Sequence, residues 1–150
     1  MTGMSTALTE IGWDLTVLVA KSFENEVELF KKLSMSKNLS GLIISRTLRN
    51  DERFKILTDL KIPFVAHGRS LNCSSSSWLD VDNESAFFDM TKHFVSLGHR
   101  KIAHICGPNV YNFSMQRIDG WKKAHLESGI QIKSEFLQVA DLSFDGGKIA

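Results

Sequence analysis

The chain has 150 residues, of which 43% are hydrophobic and 23% are charged, and its formal net charge is +1 at pH 7. This composition excludes disordered and fibrous proteins, and the length predicts one domain with a sizeable core. The near-zero charge argues against an isolated nucleic-acid-binding module, which is usually basic. Because the two cysteines form no CxxC motif, the sequence favours reduced structural thiols over a zinc ribbon or a disulfide framework.

The sequence carries no targeting signal that we recognise. No apolar run reaches the length of about 18 residues that a membrane-spanning helix requires. The first residues lack the basic and apolar regions of a signal peptide. We therefore predict a cytoplasmic protein without a membrane partner.

Helices and strands alternate along the first half of the predicted structure. Helices are predicted where apolar residues recur at spacings of three and four, and strands where short apolar or β-branched runs occur. In chain order, these elements are a helix ending at Gly12, a buried strand over 14–20, a helix over 23–33, a strand over 41–45, a helix over 53–60 and a strand over 62–66. A polar loop over 68–77 follows.

The second half continues the same alternation. Its predicted elements are a short strand over 78–83 that ends in a helix cap at Asn83 or Asp82, a helix from Glu84 that stops at Gly98, a strand over 101–106, a helix over 114–128, a strand over 136–140 and the first turn of a helix from Ser143. This pattern is typical of an α/β protein with parallel sheets covered on both faces. Because such a sheet normally starts with a strand and this chain starts and ends in helices, we expect part of a larger domain.

The motifs of common enzyme classes are absent from the sequence. It contains no GxGxxG, P-loop, GxSxG or HExxH motif, so we predict no enzyme activity, no cofactor, no metal and no catalytic residue. His99 and His104 lack zinc-ligand spacing, and we interpret His104 as a buried strand residue beside a solvent-facing His99. Asp80 and Asp82 are interpreted as cap and hinge groups rather than as a carboxylate pair.

Polar and aromatic residues cluster after three of the predicted strands, where open α/β sheets bind ligands. Arginine forks and flat aromatic rings are how a polyhydroxylated ligand such as a sugar is held. The predicted ligand-binding residues are Thr47, Asp51, Gly68, Arg69, Tyr111, Phe113 and Arg117. Structural alternatives stay open: Arg117 and Tyr111 as surface residues, Arg69 as a loop ion-pair partner, Phe113 as a core residue and Asp51 as a helix cap.

Several motifs in order carry a resemblance to a known family. They are Gly41-Leu42-Ile43-Ile44-Ser45, Asn50-Asp51-Glu52-Arg53, Ile62-Pro63-Phe64-Val65, Gly68-Arg69, Asp80-Val81-Asp82-Asn83, the run from Leu97 to Ile105 followed by Gly107-Pro108, and Arg117-Ile118-Asp119-Gly120-Trp121. Together they resemble hallmarks of the lactose/galactose-repressor (LacI/GalR) family over nearly all of the chain.

The resemblance implies a periplasmic-binding-protein-like effector domain, in which two Rossmann-like lobes with parallel sheets close on a small ligand. Arg117 matches the family's effector-binding arginine, and Phe113 and Tyr111 match the variable positions before it that contact the ligand. Arg69 and Gly68 match a position of the first lobe that faces the cleft. Thr47 and Asp51 match first-lobe positions more loosely.

The resemblance also implies a domain organisation and partners. Residues 1–79 would be part of the first lobe, 80–83 the crossing between lobes, and 84–150 the first half of the second lobe. The family's DNA-binding helix-turn-helix, the first strand of its first lobe and the rest of its second lobe have no match here, so we expect the isolated chain to be marginally stable. Family members form homodimers through the first lobe, which here would involve the helix around 6–11.

We therefore predict the ligand-sensing part of a LacI/GalR-type transcriptional regulator. A small effector, which we expect to be a sugar, would bind between the lobes and alter the DNA affinity of the full-length protein. A periplasmic sugar-binding protein of a transport system is the alternative. An α/β enzyme is the third possibility, disfavoured because the sequence offers no nucleophile, metal set or phosphate loop.

Overall fold

The computed structural model describes residues 2–36, 39–73 and 76–150. The chain divides into two compact units, one over residues 1–38 and one over 39–150. Both units are described separately below. No helix in the described part of the chain is long and apolar enough to cross a membrane.

The first unit contains two of the predicted helices. Helix α1 spans Thr2–Glu10 and is followed by Gly12 at φ +76°. Helix α2 spans Phe23–Ser34 and begins at Ser22, whose side chain accepts a hydrogen bond from the backbone N–H of Asn25. Both helices confirm the predictions. Their boundaries are typical, since a serine caps the start of α2 and a glycine follows the end of α1.

The predicted strand over 14–20 is wrong. These residues form no regular secondary structure, and Val17 and Val19 are 59% and 86% exposed. A β-branched apolar run becomes a strand only when a neighbouring strand accepts and donates its backbone hydrogen bonds. In the described residues this segment takes part in no strand pairing, so its local sequence preference is not realised.

The second unit starts with a parallel sheet. Strands β1 (Leu42–Ser45), β2 (Phe64–His67) and β3 (Ser77–Leu79) lie in the order β1-β2-β3 in the described residues. Helix α3, Glu52–Asp59, connects β1 to β2 and buries Phe54 and Leu57. This parallel βαβ connection is what the alternation of elements predicts.

A second pair of strands follows in the same unit. Helix α4 spans Asn83–Ser96, β4 His104–Cys106, α5 Asn112–Glu127, a 3-10 helix Ser134–Phe136, β5 Leu137–Val139 and α6 Phe144–Ile149. Strands β4 and β5 pair in parallel, so the α/β class with parallel sheets is confirmed. Trp121, Ile118 and Ala124 of α5 are buried in the core.

Several element boundaries differ from the predicted ones. Strand β2 starts at Phe64 and includes His67, which was expected to follow the strand, because the register pairs Phe64 with Leu42 and His67 with Ser45. Strand β3 stops at Leu79 instead of reaching residue 83. Strand β4 covers three residues of the predicted 101–106, because its pairing with β5 starts at His104.

The helix cap that the sequence left open is Asp82. Its Oδ1 accepts a hydrogen bond from the backbone N–H of Ser85 at 3.0 Å, and the helix starts at Asn83. The hydrogen bonds to Ser85 lower the pKa of the Asp82 carboxyl. Asn83 is therefore not needed as the cap and is free for another role.

Candidate functional site

Thr47 and Gly68 shape the loops after β1 and β2. Thr47 is 2% exposed, and its hydroxyl donates a hydrogen bond to the carbonyl oxygen of Arg69 at 3.0 Å. Gly68 has φ +116°, and a Cβ built on it would lie 2.6 Å from Thr47 Oγ1. The Thr47 hydroxyl is thus used inside the protein, where it holds the backbone of Arg69.

Asp51 is buried at the N-terminus of α3. Its Oδ2 accepts hydrogen bonds from the backbone N–H of Leu48 at 3.0 Å and from Arg53 Nη2 at 2.7 Å. Its Oδ1 accepts hydrogen bonds from the backbone N–H of Arg53 at 3.1 Å and from Arg53 Nε at 2.9 Å. Burial by itself raises the pKa of the Asp51 carboxyl, but the hydrogen bonds and charge of Arg53 and the Leu48 N–H outweigh it, and the pKa is lowered. The carboxylate therefore caps α3, which is the alternative role that the sequence leaves open for Asp51.

Arg69 is held by the segment that follows β3. Its backbone N–H donates to Asp80 Oδ2 at 2.9 Å, and its Nε lies 3.5 Å from the same oxygen in an ion pair without a hydrogen bond. Its guanidinium carbon lies 5.3 Å from the centre of the Trp78 ring. The side chain is 36% exposed, so part of the guanidinium faces solvent.

Two aromatic rings stack at the N-terminus of α5. The rings of Tyr111 and Phe113 have centroids 5.4 Å apart and planes 14° from parallel. The guanidinium carbon of Arg46 lies 5.2 Å from the Tyr111 ring centre. Both rings are half-buried, which leaves part of their apolar surface for contact with a ligand.

Arg117 lies one helical turn after Phe113 and is held by three neighbours. Its Nε donates a hydrogen bond to Asn83 Oδ1 at 2.8 Å. Its guanidinium carbon lies 4.9 Å from the Phe113 ring centre and 5.3 Å from that of Phe87. Within the described residues, no hydrogen-bond partner is assigned to its two terminal nitrogens, which keep the fork geometry that binds hydroxyl or carboxylate oxygens.

The structure brings the loops after β1 and β4 together. The backbone N–H of Arg49 donates to the carbonyl of Val110 at 2.9 Å, and that of Asn112 donates to the carbonyl of Thr47 at 3.4 Å. Leu48 and Tyr111 form an isolated antiparallel bridge. These two predicted clusters therefore meet through their backbones, and the hydrogen bond from Thr47 to the carbonyl of Arg69 joins the third cluster to them.

An open groove of about 250 Å³ lies beside these loops. Among the predicted ligand-binding residues, Arg69 lines this groove. The groove's lining residues are Arg49, Arg69, Ser70, Leu71, Asn112, Met115, Gln116 and Asp119. Residues 112, 116 and 119 share one face of α5, whereas Phe113 and Arg117 share another, so the structure distributes the predicted site over two faces of this helix.

Sequence reasoning missed the partners that hold the two arginines. The local sequence indicates a possible helix cap at Asn83 and a cap or hinge group at Asp80, yet Asn83 binds Arg117 and Asp80 binds Arg69. Gln116 and Asp119 of the groove were also missed. The signal that could have pointed to Asn83 is its position directly after the capping Asp82, where the amide is redundant for capping.

The histidines behave as structural residues. His104 is 7% exposed in β4, and His99 is exposed after α4, as predicted. Burial, and to a smaller extent the charge of Arg117, lower the pKa of His104. In the described part of the chain no three His, Cys, Asp or Glu side chains are grouped as a metal site would require.

Comparison with known proteins gives a consistent result. A family model described as "Periplasmic binding proteins and sugar binding domain of LacI family" matches residues 1–148. The HTH-type transcriptional regulator AglR of Rhizobium meliloti is 34% identical over 132 residues, which are 87% of this chain and 37% of AglR. The HTH-type transcriptional regulator CelR of Thermobifida fusca is 26% identical over 150 residues, 99% of this chain and 44% of CelR.

A solved structure extends the comparison to three dimensions. The structure titled "transcriptional regulator CelR-cellobiose complex" superposes with a TM-score of 0.88 and 26% identity over 99% of this chain and 46% of that one. The chain thus spans less than half the length of these relatives. The parallel α/β architecture described above is the fold that this structure shares.

Proposed function

Because the chain belongs to the family of periplasmic binding proteins and sugar-binding domains of LacI-type regulators, we propose that it binds a small effector, a sugar, as the ligand-sensing part of a transcriptional regulator. The relatives named above are transcriptional regulators, which favours this function over the alternative of a periplasmic transport protein. They also favour a role in sensing over one in catalysis. The cellobiose in the CelR complex supports a neutral sugar as the effector class.

We propose the domain organisation that the resemblance implies. Residues 1–79 would belong to one lobe, 80–83 would cross between lobes, and 84–150 would belong to the other. The parallel sheet β1-β2-β3 and the parallel pair β4-β5, which flank residues 80–83, support this division. A ligand that contacts both sheets would favour one arrangement of the lobes, and a shift of that equilibrium is how such a domain transmits binding.

The geometry of Arg117 carries the proposal. Its Nε is fixed by Asn83 and its guanidinium carbon lies close to the rings of both Phe87 and Phe113, so the side chain is oriented before any ligand arrives. An oriented arginine loses little conformational freedom when its terminal nitrogens bind sugar hydroxyls. The solvent-facing parts of the half-buried Tyr111 and Phe113 rings supply apolar surface against which a sugar ring packs.

The roles of the other predicted residues follow from their contacts. We propose that Arg69 contacts the ligand with its exposed guanidinium, whereas Thr47, Gly68 and Asp51 act indirectly by fixing the loops that carry it. DNA binding, in this proposal, is a property of the full-length regulator, which acts in the cytoplasm as a homodimer. No cofactor and no metal take part.

Calorimetric titration tests the proposal. The chain is titrated with cellobiose and other neutral disaccharides, and with a nucleobase as a ligand of another class. We expect a disaccharide to bind and Arg117→Lys to weaken its binding at least tenfold, because an ammonium cannot offer the planar fork. Arg100→Lys is the matched control, because Arg100 is exposed and its guanidinium donates to the backbone carbonyls of Val95 and His99. The proposal is wrong if no sugar binds, or if the two lysine variants bind equally well.

A further inference from the structure

A buried polar contact links the two arginines of the candidate site. Asp80 follows β3, and its side chain is 10% exposed. Its Oδ2 accepts a hydrogen bond from the backbone N–H of Arg69 and lies opposite Arg69 Nε. Its Oδ1 accepts hydrogen bonds from the backbone N–H of Val81 at 2.8 Å and from Asn83 Nδ2 at 3.3 Å. Asp80 thus faces Arg69 with one carboxylate oxygen and Val81 and Asn83 with the other.

Asn83 continues the link to the other arginine. Its Nδ2 donates hydrogen bonds to Asp80 Oδ1 and, at 3.0 Å, to the carbonyl oxygen of Val81. Its Oδ1 accepts a hydrogen bond from Arg117 Nε at 2.8 Å. The guanidinium can only donate and the Asp80 carboxylate can only accept, so the orientation of the Asn83 amide is determined by its two neighbours. Asn83 is 4% exposed, which shields the link from water.

We propose that Asp80 and Asn83 are positioning residues that couple Arg69 to Arg117 across the connection between β3 and α4. The negative charge of Asp80 polarises the Asn83 amide, which makes Asn83 Oδ1 a stronger acceptor for Arg117. A change at Arg69 is therefore transmitted to Arg117 without direct contact between the two. Helix capping does not account for these residues, because Asp82 caps α4.

The coupling gives the proposed sensor a specific property. A ligand group that draws Arg69 away from Asp80 alters the acceptor that orients Arg117, so the two arginines respond to one ligand as a unit. This consequence rests on the proposed function, whereas the coupling itself does not depend on any ligand. The two can be tested separately.

Arginine Nε–H resonances in the ¹⁵N spectrum of the whole chain test the coupling. The Arg117 resonance is assigned by its loss in Arg117→Lys, and Asn83→Ala is the positive control for its sensitivity. We expect Asp80→Asn to shift the Arg117 Nε–H resonance, although Asp80 does not contact Arg117. Asp59→Asn, which removes an equal charge from an exposed pair with Lys55, is expected to leave it unchanged.

Arg69→Lys provides a second, independent perturbation in case Asp80→Asn fails to fold. Arg69 is partly exposed, and lysine keeps the backbone N–H bond to Asp80, so this variant changes only the side-chain end of the link. We expect it to move the Arg117 resonance in the opposite direction to Asp80→Asn, because a weaker ion pair with residue 69 leaves more of the Asp80 charge to polarise Asn83. An Arg117 resonance that responds to Asn83→Ala but to neither of the other two variants would overturn the coupling.

Titration with cellobiose separates the coupling from the proposed function. If cellobiose binds, Asp80→Asn is expected to weaken its affinity about tenfold, and by a much smaller factor once Arg117 is already lysine, as residues of one network behave. Equal factors in both backgrounds would also overturn the coupling. If no sugar binds, the proposed function fails, and the Nε–H resonances alone decide whether the two arginines are coupled.

Discussion

The absence of a side chain at Gly68 determines where Arg69 is placed. Gly68 has φ +116°, which residues with a Cβ rarely adopt, and the position of its missing Cβ is occupied by Thr47 Oγ1. That hydroxyl donates to the carbonyl of Arg69. Any side chain at position 68 therefore has to displace the hydrogen bond that fixes the Arg69 backbone.

We predict that Gly68→Ala lowers the free energy of unfolding by about 1–3 kcal/mol, the range for a residue held in a disfavoured backbone conformation. Gly98→Ala is the matched control, because Gly98 also has a positive φ of +92° but no atom within 4 Å of its Cβ position. Urea denaturation should show a larger loss for Gly68→Ala than for Gly98→Ala. Equal losses would mean that Thr47 does not constrain this loop.

Asp51 makes stability depend on pH in a defined direction. Its folded-state pKa is lowered, so its stabilising contribution is complete above the unfolded pKa of about 3.9 and is lost as the pH falls through the folded value. We predict that Asp51→Asn lowers the free energy of unfolding by roughly 3 kcal/mol at pH 7, because the substitution removes the negative charge from a buried ion pair with Arg53.

The difference between wild type and Asp51→Asn should shrink when urea denaturation is repeated at successively lower pH below about 4. Asp59→Asn serves as the comparison, because Asp59 lies on the same helix in an exposed pair, which contributes little. A difference that stays constant down to pH 2 would contradict the assigned role of Asp51.

Residue roles were only partly predictable from the sequence. Asp51 precedes a helical pattern, and that local signal was enough to include capping among its possible roles. The partner of Arg117 is Asn83, 34 positions away in the chain, and no local pattern indicates such a distant hydrogen bond. The ligand contacts assigned to Arg117, Phe113 and Tyr111 stay predictions.

Helices α4 and α5 pack with almost no space between their backbones at Gly120. A Cβ on Gly120 would clash with the carbonyl oxygen of Glu84 and would lie 3.0 Å from the backbone nitrogen of Phe88. Both obstacles are backbone atoms, which cannot rotate away as a side chain can. The contact also lies next to Asn83, so the helix spacing fixes the distance that the Asn83–Arg117 hydrogen bond spans.

We predict that Gly120→Ala forces the two helices apart and lowers the free energy of unfolding by about 3 kcal/mol, the upper part of the range for overpacking. The Arg117 Nε–H resonance should shift as well. Gly3→Ala in helix α1 is the control, because its Cβ position is open and alanine favours helix there by up to about 1 kcal/mol. Thermal unfolding that is unchanged by Gly120→Ala would contradict the close packing.

Helices were easier to predict from the sequence than strands. The apolar spacing and the stop glycines gave the helices ending before Gly12, Gly98 and Gly129, all of which have positive φ. The apolar run 14–20 reads as a strand in the same way as 41–45 does, but only the latter has a paired neighbour. Strand formation depends on a partner elsewhere in the chain, and local sequence does not encode it.

At the scale of the whole molecule, many large apolar side chains face solvent. Among the described residues, Val19, Leu126, Phe144 and Ile149 are each at least 80% exposed. Folding gains roughly 25 cal/mol for each Å² of apolar surface that it removes from water. The surface that these side chains leave in water contributes none of this stabilisation. We therefore predict a broad, low-temperature thermal transition by circular dichroism, which a sharp cooperative melt would contradict.

In the proposed function, one sugar contacts loops that follow strands of both parallel sheets. Hydrogen–deuterium exchange, read by mass spectrometry with and without a binding disaccharide, tests it most directly. At a disaccharide concentration near the wild-type dissociation constant, we predict slower exchange over 47–51 and 69–72, after β1 and β2, together with 111–117 at the start of α5. We predict a much smaller slowing in these segments for Arg117→Lys. Protection confined to one sheet, or protection that is equally strong in Arg117→Lys, would contradict a shared sugar site that depends on Arg117.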